Sequence, residues 1–291
     1  MSGSIHHDTR MGVVSLTVSD LDRSLAFYQG ALGFTLHRRS DGVAYLGAGG
    51  ADLVKLVERP GARRIQGTTG LYHFAVLVPS RLQLAHSLRR IIDMQTPVQG
   101  FADHHVSEAI YLPDPDGNGI EIYRDRPRAE WRYPDGQLKM GTDPLDLQSI
   151  LDELAGRDEP WSGLHAETVI GHVHLHVAQI AQAEAFYRDV LGFDLMLRYG
   201  PSATFLSAGG YHHHLGANVW AGVNAPPPPD DAVGLRWYTI NLPDEAARQA
   251  VADRVRAAEI TVEERDEGLF LRDPSASGIV LAVRSAGGAS R

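Results

Sequence analysis

Residues 13–34 read VVSLTVSDLDRSLAFYQGALGF, and residues 172–193 answer them with HVHLHVAQIAQAEAFYRDVLGF. The FY pair recurs at Phe27-Tyr28 and Phe186-Tyr187, and the LGF triplet at Leu32-Gly33-Phe34 and Leu191-Gly192-Phe193. Self-similarity of this kind marks a duplicated supersecondary unit. VVSLTV alternates with a period of two, as a half-buried strand does. The segment after it places Leu21, Leu25, Tyr28 and Leu32 on one helical face, and Gly33 suits the end of that helix. Residues 42–50 and 51–58 then read as strands.

The match continues outward. AYLGAGG from Ala44 answers TFLSAGG from Thr204, and GLYHFAVLVP from Gly70 answers GLRWYTINLP from Gly234. DPDGNGIEIY from Asp114 answers DPSASGIVLA from Asp273, so residues 11–126 map on 170–285. Each half divides again, because HFAVLVP, SRLQLAHSLRRIID and EAIYLPDPDGNGIEIYRD repeat the strand, helix, strands plan. The expected fold is α+β: four βαβββ modules forming two domains with half-barrel mixed sheets and helices on the convex side. The expected boundaries are 9–126 for modules one and two, 127–168 for a connector, and 169–286 for modules three and four. The connector contains a helical segment, DPLDLQSILDELAG, with Asp143 as its expected N-cap. The four prolines at 226–229 read as a stiff surface loop.

A chain of 291 residues is long for one core and comfortable for two. Its formal net charge of -9 disfavours nucleic acid and anionic membranes, which call for a basic face. There are no cysteines, which removes disulfides, thiolate metal sites and a cysteine nucleophile. Any metal must then be held by nitrogen and oxygen. No apolar run reaches the ~20 residues that span a bilayer, and the N-terminus lacks an apolar signal segment. A soluble, cytoplasmic protein is expected.

The fourteen histidines are informative through their placement. The first strand of each module presents alternate residues to the concave face. Module three offers His172, His174 and His176; module two offers His73 at the place equivalent to His172. Modules one and four offer Val13, Ser15 and Thr17, and Trp237, Thr239 and Asn241. On the last strand of module two, Glu121 stands between Ile120 and Ile122, while module four has Val280 at that place. In module three His214 is the expected counterpart of Glu121. A buried Glu with no partner is expensive, so a cation explains it better than structure alone. His73, His172 and Glu121 make a two-histidine, one-carboxylate set that suits Fe(II), Mn(II) or Zn(II). The ligands survive only in modules two and three, so those two should pair, within one chain or across a dimer, leaving one and four as a metal-free barrel. A lone histidine on a strand is more often structural than a ligand; His174, His176, His212 and His213 are read that way. His6 and His7 are incidental, and Gly117 and Gly119 are turn glycines rather than a phosphate cradle.

The strand, DLxxSLxFYxxxLGF and DPDGNGIEIY succession resembles the vicinal-oxygen-chelate superfamily of glyoxalases and extradiol dioxygenases, over nearly the whole chain. GLYHFAVLVP, SEAIYLPDPDGNGIEIYRDRP and GGYHHHLGANVWAG are similar to the two-domain bacterial catechol 2,3-dioxygenase group. That resemblance implies an Fe(II) site, with Mn(II) as the alternative ion, on His73, Glu121 and His172. It implies a catalytic histidine at His214, a hydrogen-bonding tyrosine at Tyr111, ten residues before Glu121, and a further histidine at His105 or His104. It implies a small aromatic diol and O2 as substrates, and a possible homo-oligomer. Two other readings stand beside it. A glyoxalase-like isomerase with Ni(II) or Zn(II) would place carboxylates on the last strands of both paired modules. A metabolite-binding protein would use aromatic walls such as Trp220 and Tyr211 without a full ligand set.

Overall fold

Residues 3–157 and 161–284 are described by a computed structural model. Positions 158–160 of the expected connector and 285–286 of the expected C-terminal domain lie outside the described residues. Module one comprises β1 (Arg10–Val18), α1 (Leu21–Gly30), β2 (Thr35–Ser40), β3 (Val43–Gly47) and β4 (Asp52–Glu58). Module two comprises β5 (Gly70–Leu77), α2 (Arg81–Asp93), β6 (Gly100–Asp103), β7 (Ser107–Pro113) and β8 (Gly119–Asp125). A short α3 (Leu147–Leu151) lies in the connector. Module three comprises β9 (Val169–His176), α4 (Ile180–Glu184), β10 (Asp194–Tyr199), β11 (Ala203–Ser207) and β12 (Leu215–Asn218). Module four comprises β13 (Gly234–Leu242), α5 (Glu245–Ala257), β14 (Glu263–Arg265), β15 (Gly268–Arg272) and β16 (Gly278–Val283).

Short polar side chains start three of the four module helices. Asp20, Ser80 and Asp244 accept from the backbone N–H groups of Arg23, Gln83 and Ala247, satisfying donors that no helical carbonyl can reach. In module three Gln179 provides no such cap, and α4 widens into a π-helical stretch over Ala185–Val190. In the connector the cap is Asp146, whose side chain accepts from Ser149, and not the expected Asp143. The backbone of Asp143 is instead bridged in both directions to Asp103, which holds it outside the helix.

Strand order decides the pairing of modules. One eight-stranded sheet runs β14-β15-β16-β13-β1-β4-β3-β2, joining modules four and one. The other runs β10-β11-β12-β9-β5-β8-β7-β6, joining modules three and two. Each sheet therefore draws strands from both halves of the chain, as the distribution of His73, His172 and Glu121 requires. Alternation does the rest. Val14, Leu16 and Val18 on β1, Val173 and Leu175 on β9, Phe74 and Val76 on β5, and Ile120 and Ile122 on β8 are buried in one apolar core.

The two recurring sequence motifs meet within each half. The Tyr28 hydroxyl donates to the Asp114 carboxylate at 3.1 Å, and the Tyr187 hydroxyl donates to Asp273 at 2.7 Å. Asp114 also accepts from the backbone N–H of Asp116 and Asn118, and Asp273 from those of Ser275 and Ser277. Thus each FY pair is tied to a DP turn of the other sheet. Burial raises both carboxyls above their ordinary range against these hydrogen bonds, and raises both phenols well above theirs. Among the described residues no helix is long and apolar enough to cross a membrane.

Candidate active site

β5 and β9 run antiparallel at the centre of their sheet, with Phe74 opposite Val173 and Ala75 opposite His172. β8 lies parallel to β5 on its other side, with Phe74 opposite Ile120 and Ala75 opposite Glu121. This register turns His73, His172 and Glu121 to one concave face. Glu121 Oε2 lies 3.0 Å from His73 Nε2 and 2.9 Å from His172 Nε2, and the two nitrogens are 3.3 Å apart. All three side chains are buried. Burial pushes the Glu121 carboxyl toward protonation, yet the charges and hydrogen bonds of His172 and His73 outweigh this and hold it well below its ordinary value. Burial likewise holds both imidazoles below theirs, despite the carboxylate. Burial thus favours the deprotonated imidazoles while the two histidines favour the carboxylate, the directions that suit ligands of a divalent metal.

The spacing also fits. An ion with bonds of about 2.1 Å to nitrogen and oxygen, and ligands at right angles, has neighbouring ligand atoms about 3.0 Å apart. The three distances lie around that value, so these residues could hold one face of an octahedral ion.

Tyr111 on β7 stands directly opposite Glu121, with its ring 5.5 Å from that of His73. Its hydroxyl lies 2.6 Å from His104 Nε2, while His104 Nδ1 lies 2.7 Å from the Gly141 carbonyl. A carbonyl only accepts, so His104 Nδ1 donates to Gly141. Burial, then the Glu121 charge, raises the Tyr111 phenol well above its ordinary value. His105, the other expected histidine, is turned out to Asp143 at 2.6 Å and is not brought to Tyr111.

His214 is not brought to the triad either. Its Nδ1 accepts from the Ala208 N–H at 3.1 Å, and its ring lies beside Tyr211. Burial, then the Arg10 charge, lowers its pKa to about 3. Nor does it hold the place equivalent to Glu121. Leu215 pairs with Val173 as Ile120 pairs with Phe74, so the residue equivalent to Glu121 is Gly216. A Cβ at Gly216 would lie 2.8 Å from Cγ of His174, so the missing side chain admits that ring to the concave face. The histidine that does reach the triad is His213, whose ring centroid is 4.1 Å from that of His172. The HHH run at 212–214 signalled histidines here; it could not say which of them faces inward, because they precede β12 and escape its alternation.

A cavity of about 150 Å³ adjoins the triad, lined by Tyr72, His73, Gln99, Gly100, Tyr111 and Ile120. Tyr72 meets His174 and Trp220 edge-on, each at 5.1 Å between ring centroids. A larger open depression of about 620 Å³ lies beside α3, away from the triad. Its central Arg81 is already paired with Glu108 and Glu153. In the other sheet the places of His172, His73, Glu121 and Gly216 are taken by Val13, Trp237, Val280 and Lys55. Trp237, Val280, Val13 and Phe270 pack together there, and Lys55 pairs with Glu267 at 2.8 Å.

A sheet pair with one buried His/His/Glu face defines the class. The chain belongs to the Glyoxalase/Bleomycin resistance protein/Dioxygenase superfamily, which matches residues 10–122 and 169–282. Within it the chain is 47% identical to the catechol-2,3-dioxygenase of Bacillus subtilis (strain 168), over 96% of this chain and 99% of that protein. Among solved structures, a putative dioxygenase from Bacillus subtilis subsp. subtilis str. 168 superposes with a TM-score of 0.66 at 14% identity, covering 98% of this chain and 88% of that one. Glyoxalase I from Zea mays superposes with a TM-score of 0.56 at 17% identity, covering 94% and 92%. At such identities these two structures establish the fold alone.

Proposed function

We propose that the protein is an extradiol dioxygenase that opens small catechol-like diols with O2 at a mononuclear Fe(II) site on His73, His172 and Glu121. The observation that carries this reading is the buried convergence of the three ligand atoms beside a compact cavity. The full-length similarity to a catechol-2,3-dioxygenase supports the reaction. When bound there, iron would supply chelation of the two diol oxygens and electron flow from diol to O2. Mn(II) accepts the same ligands.

The chain's own residues do the rest. Two imidazole ligands and a single carboxylate would leave a bound divalent ion net positive, which would favour a catecholate over a neutral diol. His213, against His172, accepts a phenolic proton; this role passes to it from His214, whose Nδ1 is occupied by a backbone N–H. Tyr111, held by His104, presents a hydroxyl to the reacting oxygens, a preorganised dipole that costs no reorganisation during reaction. Tyr72 and Ile120 flank a cavity smaller than the roughly 300 Å³ that begins the drug-sized range, which favours single-ring diols. The glyoxalase-like alternative needs a second carboxylate, and Gly216 occupies that register.

The test is anaerobic loading with Fe(II), followed by catechol and O2. A yellow ring-opened hydroxy-semialdehyde containing both atoms of O2 is expected. Metal-loaded protein that turns over no diol would overturn the reading.

A further inference from the structure

Asp125, at the end of β8, accounts for an otherwise unexplained chain of hydrogen bonds behind the triad. His212 Nε2 lies 3.0 Å from Asp125 Oδ1, and His212 Nδ1 lies 2.8 Å from His213 Nδ1. The Tyr211 hydroxyl donates to the same Oδ1 at 3.1 Å, and the Tyr123 hydroxyl lies 2.8 Å from that of Tyr211. Trp131, from the connector, packs on the rings of Tyr211 and His212. His212 is fully buried, and Asp125 is partly exposed at the outer end.

The donors and acceptors of this chain can be assigned in only one way with neutral imidazoles. A carboxylate only accepts, so the proton of His212 must sit on Nε2. His212 Nδ1 is then a bare acceptor. The only proton available for the short contact between the two rings is one on His213 Nδ1. That leaves His213 Nε2 unprotonated, on the ring that lies against His172. We infer that Asp125 is a positioning residue: through His212 it fixes the tautomer of His213, so that Nε2 is the nitrogen able to take a proton from the diol. The same logic, a carboxylate selecting one imidazole tautomer, governs hydrolytic triads. The inference rests on the dioxygenase reading for the use of that nitrogen; the tautomer itself does not.

The test uses the full chain with 15N-labelled histidines, stripped of metal, and reads long-range 1H–15N correlations of the ring nitrogens. The expected result is a proton on Nε2 of His212 and on Nδ1 of His213. In Asp125→Leu, which has no acceptor, the His213 proton should distribute over both nitrogens. In Asp125→Asn, whose carbonyl can take the place of Oδ1, the wild-type tautomer should persist. On iron-loaded protein the leucine variant should lose about 10²-fold in kcat, the lower range for a positioned general base, with KM changed far less and the asparagine variant retaining most activity. A wild-type His213 protonated on Nε2 overturns the inference, whether or not the variants fold, and so does a leucine variant with unchanged tautomers. Predicted tautomers in a wild type that cleaves no diol would refute the dioxygenase reading and leave the inference standing.

Discussion

At Tyr111 a single hydroxyl is asked to act on charge that develops during the reaction. Tyr111→Phe should keep metal binding and lower kcat roughly tenfold, the effect of losing about one well-placed hydrogen bond; steady-state kinetics with equal metal content would check it. His214 carries a different prediction. Its folded pKa of about 3 lies below the ordinary value of 6.5. Above pH 6.5 both folded and unfolded states are neutral and no penalty arises. Below it the unfolded chain binds a proton that the folded one refuses, so stability falls as pH drops from about 6.5 toward 3, by about 1.4 kcal/mol per unit for this one group. His214→Asn keeps an acceptor for Ala208 and should flatten that acid limb, as read by urea denaturation of metal-free protein between pH 4.5 and 7. At this scale the sequence was legible where a residue sat inside an alternating strand, as His73, His172 and Glu121 do. It was illegible at His213 and left His104 and His105 as alternatives, because these residues lie in turns where one residue of displacement decides which ring faces the site.

The same distinction separates the elements. The alternating strands and the helix α1 follow from period-two and helical spacing, and α2 and α5 from the repeat of the same module plan. The missed cap at Asp146 and the widened end of α4 depend on backbone contacts with other segments, which local pattern does not carry. Close packing between strands also sets limits that only the assembled sheet reveals. A Cβ at Gly171, beside His172, would stand 1.8 Å from the Tyr123 hydroxyl. Gly171→Ala should therefore displace Tyr123 and cost about 1–3 kcal/mol, the usual range for overpacking, measured as a lower denaturation midpoint.

In the whole molecule, sequence repeat and sheet composition do not coincide. The halves of the chain are repeats, yet each sheet takes one module from each half. The pairing was legible only through chemistry, because ligands surviving in modules two and three could close a site in no other way. It follows that neither half alone can assemble the triad: residues 3–157 should bind no stoichiometric metal, and adding the separately produced second half should restore binding, as followed by metal content after gel filtration. The apolar cluster of Val13, Trp237 and Val280 predicts one metal site per chain rather than two. Iron content and catechol cleavage in the wild type and in Glu121→Ala, prepared side by side without air, test the site itself. About one iron per chain with yellow product is expected in the former, and little iron and no product in the latter. A Glu121→Ala protein that keeps both its iron and its activity would rule this site out.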